Sequence, residues 1–326
     1  MKYAYFPGCS LESTAWDYDR STRAVCRQLG IELEEIPNWV CCGSTPAHSS
    51  NASLAVALPV LNLQKAQGMG HPVLTACASC YARLRTANHQ VRSETAERER
   101  AERITGKPYA GDVEVLHLLD VLVNRFGLDG IRHKVQRRLS GLRVACYYGC
   151  LLSRPPEVVA FDNAENPTCM DDLVSVTGAA PVLWPYKTEC CGASLSITQS
   201  KVVGRLGRKL LLMAREAGAQ CIVVACPLCQ LNLDLRQSDA AKAGDDIPAT
   251  PVLYVTQLLG LALGIPAEDL GLDALSVSAD SLLSDISPLP PGAKQGGGKS
   301  VSNPPQTALT PTLSQRERGS LVGGAS

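Results

Sequence analysis

The sequence predicts an α/β protein of two tandem, pseudo-symmetric Rossmann-like domains with small parallel sheets, followed by a disordered C-terminal tail. Strand-like and helix-like segments alternate in both halves of the chain, which is typical of parallel sheets with crossover helices. The same arrangement of cysteines also occurs in both halves. We therefore expect domains at residues 1–141 and 142–270 and a mostly disordered tail at residues 271–326.

The cysteines carry the clearest repeat. Ten of the 14 cysteines form two copies of one pattern: a single cysteine, an adjacent pair followed by glycine, and a Cys-x-x-Cys motif. The two copies are Cys9, Cys41, Cys42, Cys77 and Cys80, and Cys150, Cys190, Cys191, Cys226 and Cys229. In both copies 34 residues separate the pair from the Cys-x-x-Cys motif, whereas the first gap is 31 residues in one copy and 39 in the other. The equal spacing indicates a shared structural unit.

Each predicted strand leads into cysteines. The first half has predicted strands at residues 2–6, 31–37 and 72–76 and helices at 14–29 and 52–67. The second half has predicted strands at 143–148, 181–186 and 222–225 and helices at 165–176 and 201–217. Ligands of such sheets bind beyond the carboxyl ends of the strands. We expect the cysteines of each copy to meet there.

Three other segments complete the organisation of the chain. Residues 115–120 and 252–257 are similar to each other, so the two halves close alike. The charged run at residues 94–103 predicts a solvated helix surface. From about Ser287 the chain is rich in proline and glycine and has no aromatic residue or cysteine, which predicts disorder.

The composition excludes several classes of function. Lysine plus arginine equals aspartate plus glutamate at 31 each, so no overall field attracts nucleic acid or an acidic membrane surface. The first residues lack the pattern of a signal peptide, and no apolar stretch is long enough to span a bilayer. We therefore expect a cytoplasmic chain with no direct membrane insertion. In a reducing cytosol, this many cysteines indicate metal binding or catalysis.

Five thiols per set favour a centre with several metal ions. A structural zinc needs four ligands, so zinc would leave one thiol of each set unused. Adjacent cysteines are also awkward as two ligands of one tetrahedral ion, but they can serve different irons of a cluster. Gly43 and Gly192, which follow the pairs, would let backbone amides approach the cluster sulfurs.

The motifs resemble those of the B subunit of heterodisulfide reductase, a member of the cysteine-rich CCG-domain family. Beyond the cysteines, the resemblance rests on residues 5–10, 148–150 and 185–194 and covers roughly residues 1–265. It implies that all ten patterned cysteines bind metal, with one noncubane 4Fe-4S cluster in each set. It also implies an oxidoreductase that cleaves a disulfide to two thiols between the clusters, each supplying one electron.

The resemblance further implies the partners of the chain. The sequence has no compact ferredoxin motif and no dinucleotide-binding glycine motif, so electrons must come from another protein. In the family they come from a small ferredoxin-like C subunit, which receives them from a flavin-containing A subunit. The substrate disulfide or sulfur compound and the physiological direction stay open.

Three other functions compete with this interpretation. The two sets could hold zinc in a binding or assembly module. A metal-free dithiol reductase could use Cys77 and Cys80 or Cys226 and Cys229 alone, although this leaves the other cysteines unexplained. Similar repeats also occur in iron-sulfur subunits of lactate, glycolate and glycerol-phosphate oxidising complexes, which pass electrons without cleaving disulfides.

Some residues near the pattern are assigned ordinary roles. Cys26, Cys146, Cys169 and Cys221 lie outside the repeat and are interpreted as small buried hydrophobes. His48 follows the first pair, but Ile197 holds the matching place in the second half, which favours a local packing role. Arg154, Lys187 and Lys201 lie near the second set and are interpreted mainly as solvated cations.

Overall fold

Each half of the chain folds around a small sheet of four parallel strands. The structure is a computed structural model that describes residues 1–44, 46–242 and 249–284. The strands are β1 Lys2–Tyr5, β2 Glu32–Glu35, β3 Val73–Thr75, β4 Val115–His117, β5 Arg143–Tyr147, β6 Ala180–Pro181, β7 Cys221–Val224 and β8 Val252–Tyr254. The first sheet has the order β2-β1-β3-β4 and the second has the matching order β6-β5-β7-β8. The predicted fold class of two repeated α/β units with parallel sheets is confirmed.

Helices connect the parallel strands. The α-helices are α1 Gly8–Leu11, α2 Trp16–Leu29, α3 Pro46–Ser50, α4 Ala52–Gln67, α5 Ala78–Ser93, α6 Thr95–Thr105, α7 Leu118–Asp120, α8 Leu128–Lys134, α9 Pro156–Val159, α10 Cys169–Val176, α11 Ser200–Glu216, α12 Pro227–Leu233, α13 Gln237–Lys242, α14 Val255–Ala262 and α15 Asp280–Ser284. A π-helical segment spans Val121–Gly127, and 3-10 turns span Ala193–Leu195, Glu268–Leu270 and Leu272–Ala274. Helix α6 carries the charged run, and only one residue of α6, Ala101, is buried.

Local sequence signals account for several element ends. Gly30 ends α2 in the left-handed conformation, and the Asn51 side chain caps the start of α4 at its predicted position. Strands β3, β7 and β8 are wholly buried, which explains their unbroken apolar sequences.

The structure corrects three details of the predicted elements. Each sheet has a fourth strand, β4 or β8, formed within the similar segments that close the two halves. The strand predicted at 181–186 is only two residues long, because Pro181 and Pro185 lack the N–H donors that a longer ladder needs. Helix α10 begins at Cys169 and not at residue 165. The Asp162 carboxylate accepts hydrogen bonds from the Thr168 and Cys169 amides, so the segment before Cys169 is held as a loop.

Helices of the two halves pack against each other across the interface between the halves. Helix α14, which follows the last strand of the second sheet, packs on α2 of the first half, and α7 and α8 pack on α10 of the second half. Between α2 and α14 the rings of Tyr18 and Tyr254 stack with centroids 4.0 Å apart, and the Ser21 and Thr256 hydroxyls lie 2.7 Å apart. Through these contacts the described residues form one compact unit. A domain division near residue 141 stays a prediction.

The predicted tail is described only in its first part. Leu272, Leu275 and Ala279 are buried in the core, so the segment up to residue 284 packs on the folded chain. The proline- and glycine-rich segment from Ser287 onward lies outside the described residues. Within the part that is described, no helix is both long enough and apolar enough to cross a membrane.

Candidate metal centres

The patterned cysteines lie at the carboxyl ends of the strands. Cys9 follows β1 in α1, the first pair follows β2, and Cys77 follows β3 as the N-cap of α5. In the second half Cys150 follows β5, the pair follows the loop after β6, and Cys226 follows β7 as the N-cap of α12. Because the strands are parallel, these ends lie at one edge of each sheet. The fold therefore gathers each set from three separate segments.

Sulfur atoms within each set lie close together without forming disulfides. The Cys9 and Cys41 sulfurs are 3.9 Å apart, and the Cys42 and Cys80 sulfurs are 3.5 Å apart. In the second set the Cys191 and Cys229 sulfurs are 3.6 Å apart, and the Cys150 and Cys190 thiols shift each other's pKa. All 14 cysteines are free. Each set has one exposed member, Cys9 in the first and Cys190 in the second.

These separations fit thiolates that share metal ions. Two thiolates on one tetrahedral ion, at metal–sulfur distances of about 2.3 Å, lie about 3.8 Å apart. The observed pairs are close to this value. Among the described residues, no group of three or more cysteine, histidine, aspartate or glutamate side chains has an arrangement that could hold a metal ion. The paired distances are those of soft thiolate donors, which select zinc, copper(I) or iron-sulfur centres.

Glycines allow the backbone to lie against the thiols. The Gly43 amide lies 3.4 Å from the Cys41 sulfur and the Gly192 amide 3.2 Å from the Cys190 sulfur, with φ of +73° and +78°. Sequence reasoning missed two further glycines, Gly8 and Gly149, each one residue before the single cysteine. A Cβ at Gly8 would lie 2.8 Å from the Cys80 sulfur, and one at Gly149 would lie 3.1 Å from the Cys229 sulfur.

Hydrogen bonds between thiols divide each set into donors and acceptors. Hydrogen bonding with Cys41 and then with Cys80 holds the pKa of Cys42 well below its ordinary value. A hydrogen bond from Cys150 lowers the pKa of Cys190 to about 6. Hydrogen bonds from Cys229 and then Cys77 hold the pKa of Cys226 well below its ordinary value. The thiols of each set therefore lie close enough to shift one another's pKa values in opposite directions.

The two sets meet at the interface between the halves. Helix α1, which carries Cys9, packs on α12, which carries Cys229, and the buried thiols of Cys77 and Cys226 shift each other's pKa. The carbonyl of Ala76, just before Cys77, lies 3.0 Å from the Tyr18 hydroxyl and 2.9 Å from His117 Nε2. Burial lowers the pKa of His117 to about 4, so the imidazole is neutral at pH 7 and donates to this carbonyl. These buried partners hold the end of β3 at the interface.

A buried asparagine supports the first pair. Asn62, 1% exposed in α4, accepts a hydrogen bond from the Val40 amide at 2.8 Å and donates one to the Val40 carbonyl at 2.9 Å. Val40 directly precedes Cys41. The second half has Leu211 at the corresponding position, 149 residues later, so this clamp belongs to the first half.

A buried ion pair supports the second set instead. Lys187, interpreted from the sequence mainly as a solvated cation, is buried, and its ammonium lies 2.7 Å from the Asp171 carboxylate. The Lys187 carbonyl accepts hydrogen bonds from the Tyr148 and Gly149 amides, which directly precede Cys150. The Tyr148 hydroxyl donates to the other Asp171 oxygen at 2.6 Å. The solvated interpretation of Lys187 was wrong, because the sequence does not reveal that α10 brings Asp171 beside it.

The remaining residues considered from the sequence have simpler surroundings. Cys26, Cys146, Cys169 and Cys221 are buried in the core, where burial raises their pKa values. His48 is exposed, and its Nδ1 lies 2.9 Å from Nη1 of Arg83, a residue that the cysteine motifs do not point to. The one sequence signal for Arg83 is that the residue at the equivalent position of the second half, Asn232, is uncharged.

Comparisons with known proteins agree with the repeated architecture. The family model described as "Cysteine-rich domain" (CCG) matches residues 3–85 and 144–234, which include all ten patterned cysteines. A crystal structure of a hypothetical protein from Helicobacter pylori is similar in fold, with a TM-score of 0.69 at 12% identity over 85% of this chain. The chain spans about half of that protein, 52% of its length.

Two curated relatives match over almost their entire length. The 8-methylmenaquinol:fumarate reductase membrane anchor subunit of Wolinella succinogenes is 34% identical, over 86% of this chain and 99% of the relative. The B subunit of the ferredoxin/F(420)H(2)-dependent CoB-CoM heterodisulfide reductase of Methanosarcina acetivorans is 30% identical, over 87% of this chain and 97% of the relative. The chain therefore belongs to the CCG cysteine-rich domain family and is a homologue of the B subunit of heterodisulfide reductase.

Proposed function

We propose that this protein is the iron-sulfur subunit of a heterodisulfide-reductase-like complex, which cleaves or reversibly forms a disulfide. The single observation that carries the proposal is that two complete five-thiol sets meet where α1, which carries Cys9, packs on α12, which carries Cys229. A disulfide that reacts between two one-electron centres needs this arrangement. The similarity to redox-complex subunits supports it.

Each set would hold one noncubane 4Fe-4S cluster. The ligands would be Cys9, Cys41, Cys42, Cys77 and Cys80 in the first set and Cys150, Cys190, Cys191, Cys226 and Cys229 in the second. Gly43 and Gly192 would direct their amides toward cysteine sulfurs, and such hydrogen bonds tune the reduction potential. A zinc at either set stays an alternative cofactor, although it would leave one thiol of that set without metal.

The overall reaction adds two electrons and two protons to a disulfide. The S–S bond breaks, both sulfur atoms are reduced, and two thiols leave after protonation by water. When bound, two clusters would supply one electron each. The chain itself positions the first set: Tyr18 and His117, the buried partners of the Ala76 carbonyl, hold the end of β3, which leads into Cys77.

The electrons would come from partner proteins. We propose a ferredoxin-like C subunit as the direct donor and a flavin-containing A subunit behind it, as the resemblance to heterodisulfide reductase implies. A disulfide or thiol is the substrate in this proposal, and nucleic acid has no role. The two exposed thiols, Cys9 and Cys190, mark where the sets reach the protein surface.

A single-turnover experiment tests the proposed reaction. Protein purified without oxygen is reduced with dithionite, freed of excess reductant and mixed with a model dialkyl disulfide. We expect about two thiols per chain and oxidation of both centres in the visible and paramagnetic resonance spectra. Oxidised centres without thiol release, or no reaction with any disulfide, would contradict disulfide cleavage.

A second candidate function is electron transfer without disulfide chemistry. The Wolinella succinogenes relative belongs to a fumarate reductase, and it favours this alternative. A chain of this kind would hold the same centres and pass electrons between partner proteins. It would be reduced by dithionite in the experiment above but would release no thiol from the disulfide.

A further inference from the structure

Equivalent helices of the two halves carry very different charge. Helix α11 corresponds to α4 of the first half, because each residue from the cysteine pair to the Cys-x-x-Cys motif corresponds to the residue 149 positions later. Helix α4 has one lysine or arginine, Lys65, whose ammonium donates to the Asn38 carbonyl. Helix α11 has five such cations, namely Lys201, Arg205, Arg208, Lys209 and Arg215. Its one carboxylate, Glu216, is the last residue of the helix.

The five cations of α11 lie on one side of the helix, which we call the basic face. With about 3.6 residues per turn, they fall within an arc of about 120°, on the side away from the buried residues of the helix. All of them except Arg208 are exposed. In the part of the chain that the structure describes, no carboxylate forms an ion pair with the four exposed cations. The basic face is therefore a local positive field on a chain whose net charge is zero.

Helix α11 packs on the cysteine pair of the second set. A Cβ on Gly192, which follows the pair, would lie 3.1 Å from Leu206 Cδ1 and 3.2 Å from Val203 Cγ2. The ammonium of Lys209 lies 4.7 Å from the ring centroid of Tyr186, which belongs to the loop that leads to the pair. The helix that carries the basic face is therefore also a wall of the second set.

Two exposed apolar residues lie near the start of α11. Ile197 is 94% exposed and Leu235 is 57% exposed, and we call them the apolar spot. Their chain neighbours are bonded to each other, because the Arg236 guanidinium donates to the Ser196 carbonyl at 2.5 Å. The Ser196 hydroxyl also donates to Asn232, which in turn donates to the carbonyl of the second cysteine of the pair at 3.1 Å. These hydrogen bonds link the apolar spot to the second set.

Apolar residues bordered by unpaired charges of one sign are typical of a surface that binds a protein of opposite charge. The apolar residues lose water on contact, and the charges speed association and orient the partner. The second set beside this surface includes an exposed thiol, Cys190. A surface at the edge of a proposed redox centre favours a redox protein as the partner over an anionic membrane.

We propose that the basic face and the apolar spot form the docking site of an acidic electron-transfer protein, which delivers electrons to the second thiol set before the first. The inference rests on the proposed function and adds the place at which electrons enter. In each transfer the donor protein is oxidised by one electron and the centre at the second set is reduced by one, with no change of bonds or protons. Two transfers supply the two electrons that a disulfide takes up.

Binding of a probe protein to the full chain tests the docking site without turnover. The probe is an acidic plant-type 2Fe-2S ferredoxin in its oxidised form, and titration calorimetry at low and high salt measures its affinity. Replacing both Lys201→Glu and Arg205→Glu gives the basic-face variant, which we expect to bind roughly tenfold more weakly at low salt. Wild-type affinity falls as salt rises, and the variant shows a smaller fall. The control variant, with Arg103→Glu and Lys107→Glu, makes the same charge change at exposed positions of the first half and retains the wild-type affinity within about twofold.

A substitution in the apolar spot separates contact from charge. Ile197→Ser lowers the affinity for ferredoxin several-fold, because it removes apolar area from the contact. The salt dependence stays as in wild type, since no charge changes. If the basic-face variant and Ile197→Ser, both with full iron content, bind ferredoxin as wild type does, the docking site is wrong.

Reduction by ferredoxin in a stopped-flow instrument tests the order of the two sets. Cys41→Ala, which keeps the second set, is reduced by ferredoxin at the wild-type rate. Cys190→Ala, which keeps only the first set, is reduced by ferredoxin roughly tenfold more slowly, because the docked donor has no adjacent centre. Dithionite, which needs no docking site, reduces both variants at the wild-type rate. Equal rates with ferredoxin in the two variants overturn entry at the second set.

Other outcomes separate the possible failures. A wild-type chain that cleaves a disulfide with dithionite as the reductant but binds no ferredoxin overturns the docking site and retains the proposed function. The same chain binding to phosphatidylglycerol vesicles, with this binding lost in the basic-face variant, assigns the basic face to a membrane surface in place of a protein. A chain that binds ferredoxin as expected but cleaves no disulfide retains the docking site and overturns the disulfide chemistry.

Discussion

The two thiol sets each contain five cysteines at equivalent positions, and the two sheets that carry them have the same strand order. Different residues, however, surround and support the two sets. Asn62 clamps the backbone before the first pair, whereas the pair of Lys187 and Asp171 stabilises the backbone before Cys150. The strand ends determine where the thiols lie in both halves. The surroundings are independent of that requirement, so the two thiol sets have chemically distinct environments even though their cysteines correspond.

Removal of one ligand from each set gives the largest expected effect. Cys41→Ala removes the first centre alone and Cys190→Ala the second alone, because each half has its own ligands and core. Disulfide cleavage falls to background in both variants, since two electrons are needed and one centre remains. Iron analysis and thiol release measure the two effects. Loss of both centres from either variant would contradict the independence of the sets. Cys26→Ala, a change of a buried cysteine outside the repeat, serves as the control.

Disruption of the buried ion pair is expected to destabilise the second half more than the first. Lys187→Met leaves the Asp171 carboxylate buried without its cation and lowers the free energy of unfolding by about 3–5 kcal/mol. Urea unfolding measures this loss. The double variant with Asp171→Asn recovers part of it, because the unpaired charge is gone. The second centre loses iron before the first, and equal loss from both would contradict this division of support.

Loss of the asparagine clamp is the matching test of the first half. Asn62→Ala leaves the half-buried amide and carbonyl of Val40 without their side-chain partner and destabilises the protein by about 1–3 kcal/mol. We expect the first centre to lose iron faster during exposure to a chelator, while the second is released at the wild-type rate. A faster release from the second set alone would reverse the assignment.

Asp17 gives the smallest expected effect and concerns the interface that both sets share. Burial raises the pKa of its carboxyl from 3.8 to about 6, and Gln257 of α14 donates to it at 3.2 Å. Because the folded-state pKa is the higher one, the stability contributed by the protonated form is present below about pH 4 and is lost as pH rises through about 6. Asp17→Asn therefore stabilises the protein at pH 7 by about 1–2 kcal/mol and changes little at pH 4. Thermal unfolding of both proteins across this pH range measures the difference, and an unchanged difference at the two pH values would contradict the assignment.

Much of the fold could be predicted because its signals are local. Alternating apolar segments and helix caps located α4 at its observed bounds and most strands to within one or two residues. The end of the short strand β6 depended on two prolines whose effect was underestimated. The fourth strands, β4 and β8, were noticed only as similar closing segments, because no patterned cysteine follows them.

The surroundings of the sets could not be predicted in the same way. The burial of Lys187 depends on Asp171, 16 residues away, and the clamp of Asn62 depends on Val40, 22 residues away. Arg83 resembles an ordinary helix cation until it is compared with Asn232, the residue 149 positions later in the second half. Contacts between distant segments carried this information, whereas the cysteine pattern was visible in the sequence itself.

The most direct test of the account is the metal content of the chain purified without oxygen. Two cluster-binding sets predict about eight irons and about eight acid-labile sulfides per chain, with iron-sulfur signals in the visible and paramagnetic resonance spectra. About one or two zinc ions with no sulfide would contradict the redox assignment and support an assembly module. A metal-free chain whose thiols still cleave disulfides would support dithiol exchange in its place.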